Sequence, residues 1–301
     1  MEPLPALEPA LAAKLADLRG LLAAMPSALV AVSGGVDSSF LLRVAHDVLG
    51  ERLSALTSVS PTNPEEDTAA AAALARALGV EHLVIDQNEL EIPGYAANPV
   101  NRCYLCKDRL YDICAEQAAA RGRAVIVDGV NLDDLGDYRP GLRAAEEHGV
   151  RHPLVEAGLR KAELRTISRA LGLATWDKPA SPCLSSRFPY GAAITLEGLR
   201  QVAAAEQALH ALGFREVRVR AHGDVARIEL PVADLPRLAD PECRAQAVQG
   251  VRAAGFRHVT LDLEGFRSGS LNEALGARAV RDAGAGSRRR SLPPTRGRPA
   301  S

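Results

Sequence analysis

The order of elements in this 301-residue chain predicts an α/β fold followed by a small α+β domain. Three observations carry that reading. Short apolar runs alternate with helix-patterned segments up to about residue 187, as expected for parallel strands joined by crossover helices. From about Phe188 the rhythm changes to helix, two alternating strands, helix and strand. The first apolar run also passes directly into the Gly- and Ser-rich stretch "SGGVDSS", at a strand-to-helix junction.

The opening segment, to about Ala24, has Leu11, Leu15, Leu18, Leu21 and Leu22 on one helical face. "SALVAVS" is a buried strand and "SSFLLRVAHDVLG" a helix that ends on Gly50. "RLSALTSVS" is the second strand. "PEEDTAAAAALARALGV" is a helix whose first turn carries Glu65, Glu66 and Asp67, as the macrodipole prefers. "EHLVIDQ" and "AVIVDGV" are further strands, separated by the helix "CKDRLYDICAEQAAARG". "RPGLRAAEEHGV" and "RKAELRTISRALGL" are helices, and "RHPLVEA" between them is expected to be an extended edge. Beyond Phe188, "TLEGLRQVAAAEQALHALGF" is a helix. "EVRVRA" and "VARIELP" form a hairpin across "HGD", and "CRAQAVQGVRAAGF" and "HVTLDLEG" add a helix and a strand. The expected division is 1–187, 188–275, and a disordered basic tail over 276–301, which is rich in Gly, Pro, Ser and Arg without apolar periodicity.

Composition narrows the function classes. Hydrophobic residues make up 47% and charged residues 24%, and the net charge of −1 gives no general attraction to nucleic acid or membrane. No stretch approaches the roughly 20 apolar residues of a membrane span. The start is acidic, is interrupted by Pro3, Pro5 and Pro9, and lacks a signal-peptide pattern. A cytoplasmic location is expected, and the five cysteines are then not a disulfide framework.

Ser33, Gly34, Gly35, Asp37, Ser38 and Ser39 suit a phosphate site. Glycines let phosphate oxygens approach the backbone, and a helix N-terminus supplies N–H groups and a positive dipole end. A carboxylate in such a loop implies a cation, so Asp37 points to Mg²⁺. The stretch is neither a Walker A loop nor G-x-G-x-x-G. A Gly-rich turn with Ser38 as N-cap is the structural alternative. "SGGVDSS" resembles the signature of the PP-loop ATP pyrophosphatases, and "VDGVNLDD" resembles a second segment of that superfamily. The resemblance implies a Rossmann-like domain that cleaves ATP between its α and β phosphates and transfers AMP to the substrate. Gly129 and Asn131 would lie near the nucleotide. Asp133 and Asp134 are equally suited to helix capping.

"NRCYLCK", "GDYRPGLRAAEEHGVRHPLVEAGLRKAELR" and "TWDKPASPCLSSRFPYGAAIT" together resemble the LarE family, over about Leu29 to Gly265. These are ATP-dependent sacrificial sulfur transferases of nickel-pincer cofactor maturation. The resemblance implies adenylation of a pyridinium dicarboxylate mononucleotide and its conversion to a thiocarboxylate, with Cys183 as the reactive sulfur. Lys178 and Arg187 are its neighbours in sequence. It also implies that Cys103, Cys106 and Cys183 hold a [4Fe–4S] cluster, in the manner of the three-cysteine variants. A zinc site, a redox pair that regenerates a persulfide on Cys183, and inert thiols remain alternatives. Cys114 and Cys243 fall within helical patterns and are read as structural.

Arg218 and Arg220 are two apart on a strand and share a face. With Glu206, Glu229 and Arg187 they are the expected substrate-binding set, since paired Arg grips phosphate or carboxylate; a solvated strand face is the alternative. Expected partners are a small nucleotide, further copies of the chain, and a sulfur-supplying or nickel-insertion protein. The runner-up function is a tRNA thiolase, which needs a basic groove that the net charge does not support. A non-catalytic nucleotide-binding regulator is a third reading.

Overall fold

The structure is a computed structural model that describes residues 7–136, 139–267 and 269–273. The predicted tail over 276–301 lies outside the described residues.

Helix α1 (Pro9–Ala23) precedes β1 (Ala28–Ala31), α2 (Val36–Leu49), β2 (Leu53–Val59), α3 (Glu65–Leu78) and β3 (Glu81–Asp86). Then come α4 (Arg102–Ala120), β4 (Val125–Asp128), α5 (Pro140–Glu147), α6 (Pro153–Glu156) and α7 (Lys161–Ala170). The four strands form a parallel sheet in the order β3-β2-β1-β4. Neighbours along β1 and β2 face opposite ways. Val30 and Ala55 pack on one side with Leu18, Leu22, Phe40, Leu41 and Ile167, while Leu29 and Leu56 pack on the other with Tyr111, Ile113 and Cys114. Helices therefore cover both faces, as a parallel sheet requires. The chain runs outward from β1 to β2 and β3, then returns to β4 on the other side of β1. That reversal falls between β1 and β4, and the carboxyl ends of strands at such a point are where ligands bind in sheets of this kind.

Two local expectations are corrected. Helix α4 starts at Arg102, four residues before the predicted start, so Cys103 and Cys106 both lie in its first turns. The segment "RHPLVEA" makes one bridge, Arg151 to Val127, and then turns into α6 because Pro153 presets helical geometry at its first position.

The second unit comprises α8 (Leu196–Ala211), β5 (Arg218–His222), β6 (Val225–Glu229), α9 (Leu235–Ala239), α10 (Pro241–Ala253), β7 (His258–Leu261) and α11 (Ser270–Glu273). β5 and β6 pair antiparallel, and β7 joins β6 in parallel. Leu199, Val202, Val219, Ile228, Val251 and Phe256 form its core, and Tyr95, Leu184 and Phe188 enter that core from the connecting segments. Helix α9 was not anticipated. Among the described residues no helix is long and apolar enough to cross a membrane.

Residues 174–188 carry little regular structure, so their carbonyls need other partners. Arginines supply them. Arg165 donates to the carbonyls of Trp176 and Lys178, and Arg218 to that of Ala180. Arg187 donates to Pro182 and Cys183, Arg102 to Ser185, and Arg220 to Ser186. Arg187 is itself held by a bidentate ion pair with Glu206 at 2.8 Å for both contacts, and both residues are buried. Removing one partner of such a pair leaves an uncompensated buried charge. Glu206→Gln is expected to destabilise the fold by roughly 3–5 kcal/mol, read from urea denaturation midpoints at unchanged slope.

Candidate active site

The turn after β1 is built by close backbone approach. Gly34 has φ +78°, and a Cβ there would lie 1.8 Å from the Asp67 carbonyl oxygen. Gly129, after β4, packs on the start of α2, and its Cβ would lie 2.7 Å from the Ser38 backbone nitrogen. Both positions therefore exclude side chains, and the backbone around them forms a cradle that suits phosphate oxygens. Gly35 is the N-cap of α2. Ser38 is not the cap: its Oγ accepts from the Ser33 backbone N–H at 3.1 Å and lies 3.1 Å from Ser33 Oγ, closing the loop. Ser39 is fully buried, with its hydroxyl unpartnered among the described residues.

Asp37 stands in this cradle. Its Oδ2 pairs with Lys161 at the start of α7, while its buried Oδ1 has no partner among the described residues. Burial pushes its carboxyl up, Lys161 pulls it back, and nearby Asp134 adds to the rise. A carboxylate with an open oxygen beside a second carboxylate fits a divalent cation. Lys178 reaches the same loop, with Nζ 2.6 Å from Asp67 Oδ1 and 3.1 Å from the Gly34 carbonyl. Asn131 is buried and its Oδ1 accepts from the Asp133 N–H. Asp133 accepts from the Lys161 N–H and from Arg160, capping α7 from outside, and Asp134 accepts from the Asn131 N–H. Lys161 and Asp67 were not singled out from sequence. Their partners lie far along the chain, so spacing gives no signal for them.

A triad of buried Tyr111 and Asp128 with half-buried His152 supports the turn after β4. Asp128 accepts from Tyr111 Oη at 2.6 Å and from the Val130 N–H at 3.2 Å, and its Oδ1 lies 2.6 Å from His152 Nδ1. Burial opposes the Asp128 charge, but His152, Lys107 and Tyr111 hold its carboxyl below the usual range. Burial also opposes a charged His152, yet the Asp128 carboxylate lifts it above the usual range.

Cys103 is open to solvent, Cys106 and Cys183 partly so. Burial and the charge of Cys183 push the Cys103 thiol up. Cys106 is pushed up by burial, then by Glu89, Cys183 and Cys103. Among the described residues no group of three or more His, Cys, Asp or Glu is arranged to hold a metal ion. Three thiolates are nonetheless a suitable donor set for an iron–sulfur cluster. Buried Tyr95 donates to or accepts from Ser185 Oγ at 2.8 Å. Buried Glu89, missed from sequence, contacts Ser60 and lies 3.9 Å from Cys106 Sγ; burial pushes its carboxyl up. Cys114 is fully buried, and Cys243 packs on the second core.

The second-sheet polar set is buried rather than a solvated strand face. Arg220 pairs with Glu229 (2.8 Å), and Arg187 with Glu206. Arg218 differs. It is 4% exposed, has no carboxylate partner among the described residues, and keeps an unpartnered Nε. Burial and the neighbouring Arg187 push its guanidinium down to about 10. Its alkyl-guanidinium plane lies 5.1 Å from the Phe266 ring centre. A buried cation of this kind favours an incoming anion.

Comparisons with known proteins agree with this geometry. The NAD synthase family matches residues 21–127. The pyridinium-3,5-bisthiocarboxylic acid mononucleotide synthase of Lactiplantibacillus plantarum is 40% identical over 266 residues, 88% of this chain and 96% of that protein. An uncharacterized protein of Synechocystis sp. is 48% identical over 88% of this chain and 99% of its own length. One from Methanocaldococcus jannaschii is 29% identical over 80% and 90%.

Gly129→Ala is expected to abolish ATP binding by calorimetry, because its Cβ would press on the α2 backbone. The His152–Asp128 pair also has a pH signature. A histidine raised in the folded state stabilises below its unfolded pKa of about 6.5, and that contribution is lost as pH rises through the folded value. His152→Gln should therefore lower the melting temperature more at pH 6 than at pH 9.

Proposed function

The chain belongs to the LarE family of pyridinium-3,5-bisthiocarboxylic acid mononucleotide synthases, and on that premise we propose that it adenylates the carboxylates of pyridinium-3,5-biscarboxylic acid mononucleotide and replaces an oxygen of each with sulfur. The observation that carries this reading is the path of residues 178–183. Lys178 bonds the phosphate loop at the Gly34 carbonyl, and Cys183 follows five residues later on the same segment. One short segment links an ATP-cleaving loop to a sulfur nucleophile.

In the first half-reaction a substrate carboxylate oxygen attacks the α-phosphorus of ATP. A P–O bond forms, the bond to pyrophosphate breaks, and pyrophosphate leaves with its electron pair. The cradle of Ser33, Gly34, Gly35, Ser38 and Ser39 with Lys161 receives the departing charge, and Gly129 and Asn131 border the nucleotide. Mg²⁺ held by Asp37, with Asp134 beside it, would neutralise phosphate charge. Arg218 receives a substrate phosphate or carboxylate. Arg187, Arg220, Glu206 and Glu229 hold the pocket around it in shape. The units 1–187 and 188–275 then divide the work into adenylation and substrate binding.

In the second half-reaction a thiolate at Cys183 attacks the acyl carbon of the adenylate, and AMP leaves. A base removes the Cys183 Cα proton, the Cβ–S bond breaks, and the products are a thiocarboxylate and dehydroalanine. A [4Fe–4S] cluster on Cys103, Cys106 and Cys183 would instead supply the sulfur and spare the protein. The chain works in the cytoplasm as a homo-oligomer, with a sulfur-supplying or nickel-insertion protein as its partner. The phosphate loop with Asp37 argues against a non-catalytic regulator, and relatedness to a mononucleotide synthase argues against a tRNA thiolase.

Pyrophosphate release should require the dicarboxylate nucleotide, be lost in Asp37→Asn, and show no response to tRNA. Release driven by tRNA and not by the nucleotide would overturn the assignment. Anaerobic protein should carry close to the four irons per chain of such a cluster, lost in Cys103→Ala. Iron-free protein that still makes one thiocarboxylate would place the sulfur on Cys183 itself.

A further inference from the structure

Lys161 is the first residue of α7. Its backbone is fixed: its N–H donates to Asp133 Oδ2 at 2.8 Å, and the preceding N–H, of Arg160, donates to Glu163 Oε2 at 2.9 Å. Glu163 is held in turn by Lys14 at 2.6 Å. From this anchored position Nζ reaches across to Asp37 Oδ2 at 2.5 Å, and among the described residues it has no other partner. Both side chains are partly open to solvent. Asp37 Oδ1 is buried and has no partner among the described residues.

The other cations around the loop are committed elsewhere. Lys178 bonds Asp67 and the Gly34 carbonyl, and Arg165 bonds the carbonyls of Trp176 and Lys178. Arg139 pairs with Asp134 at 2.8 Å and Arg160 with Asp133 at 2.7 Å. Lys161 therefore answers Asp37 alone, on a flexible stem and with ammonium donors to spare.

An ammonium and a divalent ion on the two oxygens of one carboxylate repel each other strongly at that separation. An anion between them removes the conflict. Phosphate is such an anion, since one of its oxygens can bind the metal while another accepts from the ammonium. Magnesium is commonly held this way, by one or two carboxylates together with substrate phosphates rather than by a cage of protein ligands.

Resting on the phosphate-loop reading above, we infer that Lys161 is a placeholder cation that makes metal binding at Asp37 conditional on phosphate. Without nucleotide it neutralises Asp37 and keeps out a bare divalent ion. When a metal-bound polyphosphate enters, Nζ leaves Asp37 for a phosphate oxygen and the carboxylate passes to the metal. The ion thus arrives with the nucleotide and not before it.

The test measures two dissociation constants on reduced, iron-free full-length protein. One is for Mn²⁺ alone, from the paramagnetic resonance signal of the free ion. The other is for metal-free pyrophosphate, by calorimetry. The two should move in opposite directions. Lys161→Gln should tighten Mn²⁺ and weaken pyrophosphate, each at least about tenfold, because one positive charge is lost beside both. Lys161→Arg keeps the charge and should leave Mn²⁺ binding weak. Adding Asp37→Asn to Lys161→Gln should remove the gained Mn²⁺ site. A residue with only a structural role would weaken both ligands or neither. Mn²⁺ affinity unchanged or lowered in folded Lys161→Gln, or a gain that survives Asp37→Asn, overturns the inference. So does pyrophosphate binding that is indifferent to Lys161→Gln. If Lys161→Gln does not fold, the wild type and Asp37→Asn decide: they should take up Mn²⁺ alike, and an ion bound in the wild type but lost in Asp37→Asn is contradictory. Neither the dicarboxylate nucleotide nor any thiol takes part, so failure here is separable from failure of the sulfur-transfer reading.

Discussion

The structure depends on guanidinium groups that hold an irregular chain segment by its carbonyl oxygens. Residues 174–188 have almost no helix or strand to satisfy their backbone, yet they carry Cys183. Arg102 and Arg165 grip them from the first unit, Arg218 and Arg220 from the second, and Arg187 from within. Hydrogen bonds from charged donors are worth about 1.5–3 kcal/mol each, roughly twice a neutral one. Their number explains how a loop with little regular structure can hold Cys183 in place. The cost is a concentration of buried positive charge. Glu206 and Glu229 offset part of it, and among the described residues Arg102 and Arg218 have no carboxylate partner.

That imbalance orders the chemistry. Arg218 bonds the Ala180 carbonyl and Arg102 the Ser185 carbonyl of the same segment. At the phosphate loop the sign is reversed. Asp37 is half-buried with Oδ1 unpartnered among the described residues, and Lys161 holds the other oxygen.

Much of the fold is legible in the sequence because its cause is local. Alternation of short apolar runs with amphipathic segments specifies the parallel sheet, and Gly50 ends α2 where expected. The phosphate loop is readable because glycine has so few substitutes at φ +78° beside the Asp67 carbonyl. The misses share a different cause. Helix α4 starts early because Asn101 and Pro99 carbonyls take up its first N–H groups, and no periodic apolar residue marks that turn. Lys161, Asp67, Glu89 and the Tyr111–Asp128–His152 triad act through partners far away in sequence. Arg218 and Arg220 were chosen from a shared strand face. The structure gives them unequal surroundings, which no spacing rule distinguishes.

The central claim is that one pocket activates a carboxylate and then delivers sulfur to it. The most direct measurement is the mass of the small-molecule product after anaerobic incubation of the full chain with ATP, Mg²⁺ and pyridinium-3,5-biscarboxylic acid mononucleotide. The account predicts a product in which sulfur has replaced a carboxylate oxygen, formed with AMP and absent when Cys183 is alanine. Stoichiometric AMP and pyrophosphate with no sulfur in the nucleotide, in wild-type protein with its thiols reduced, would contradict it.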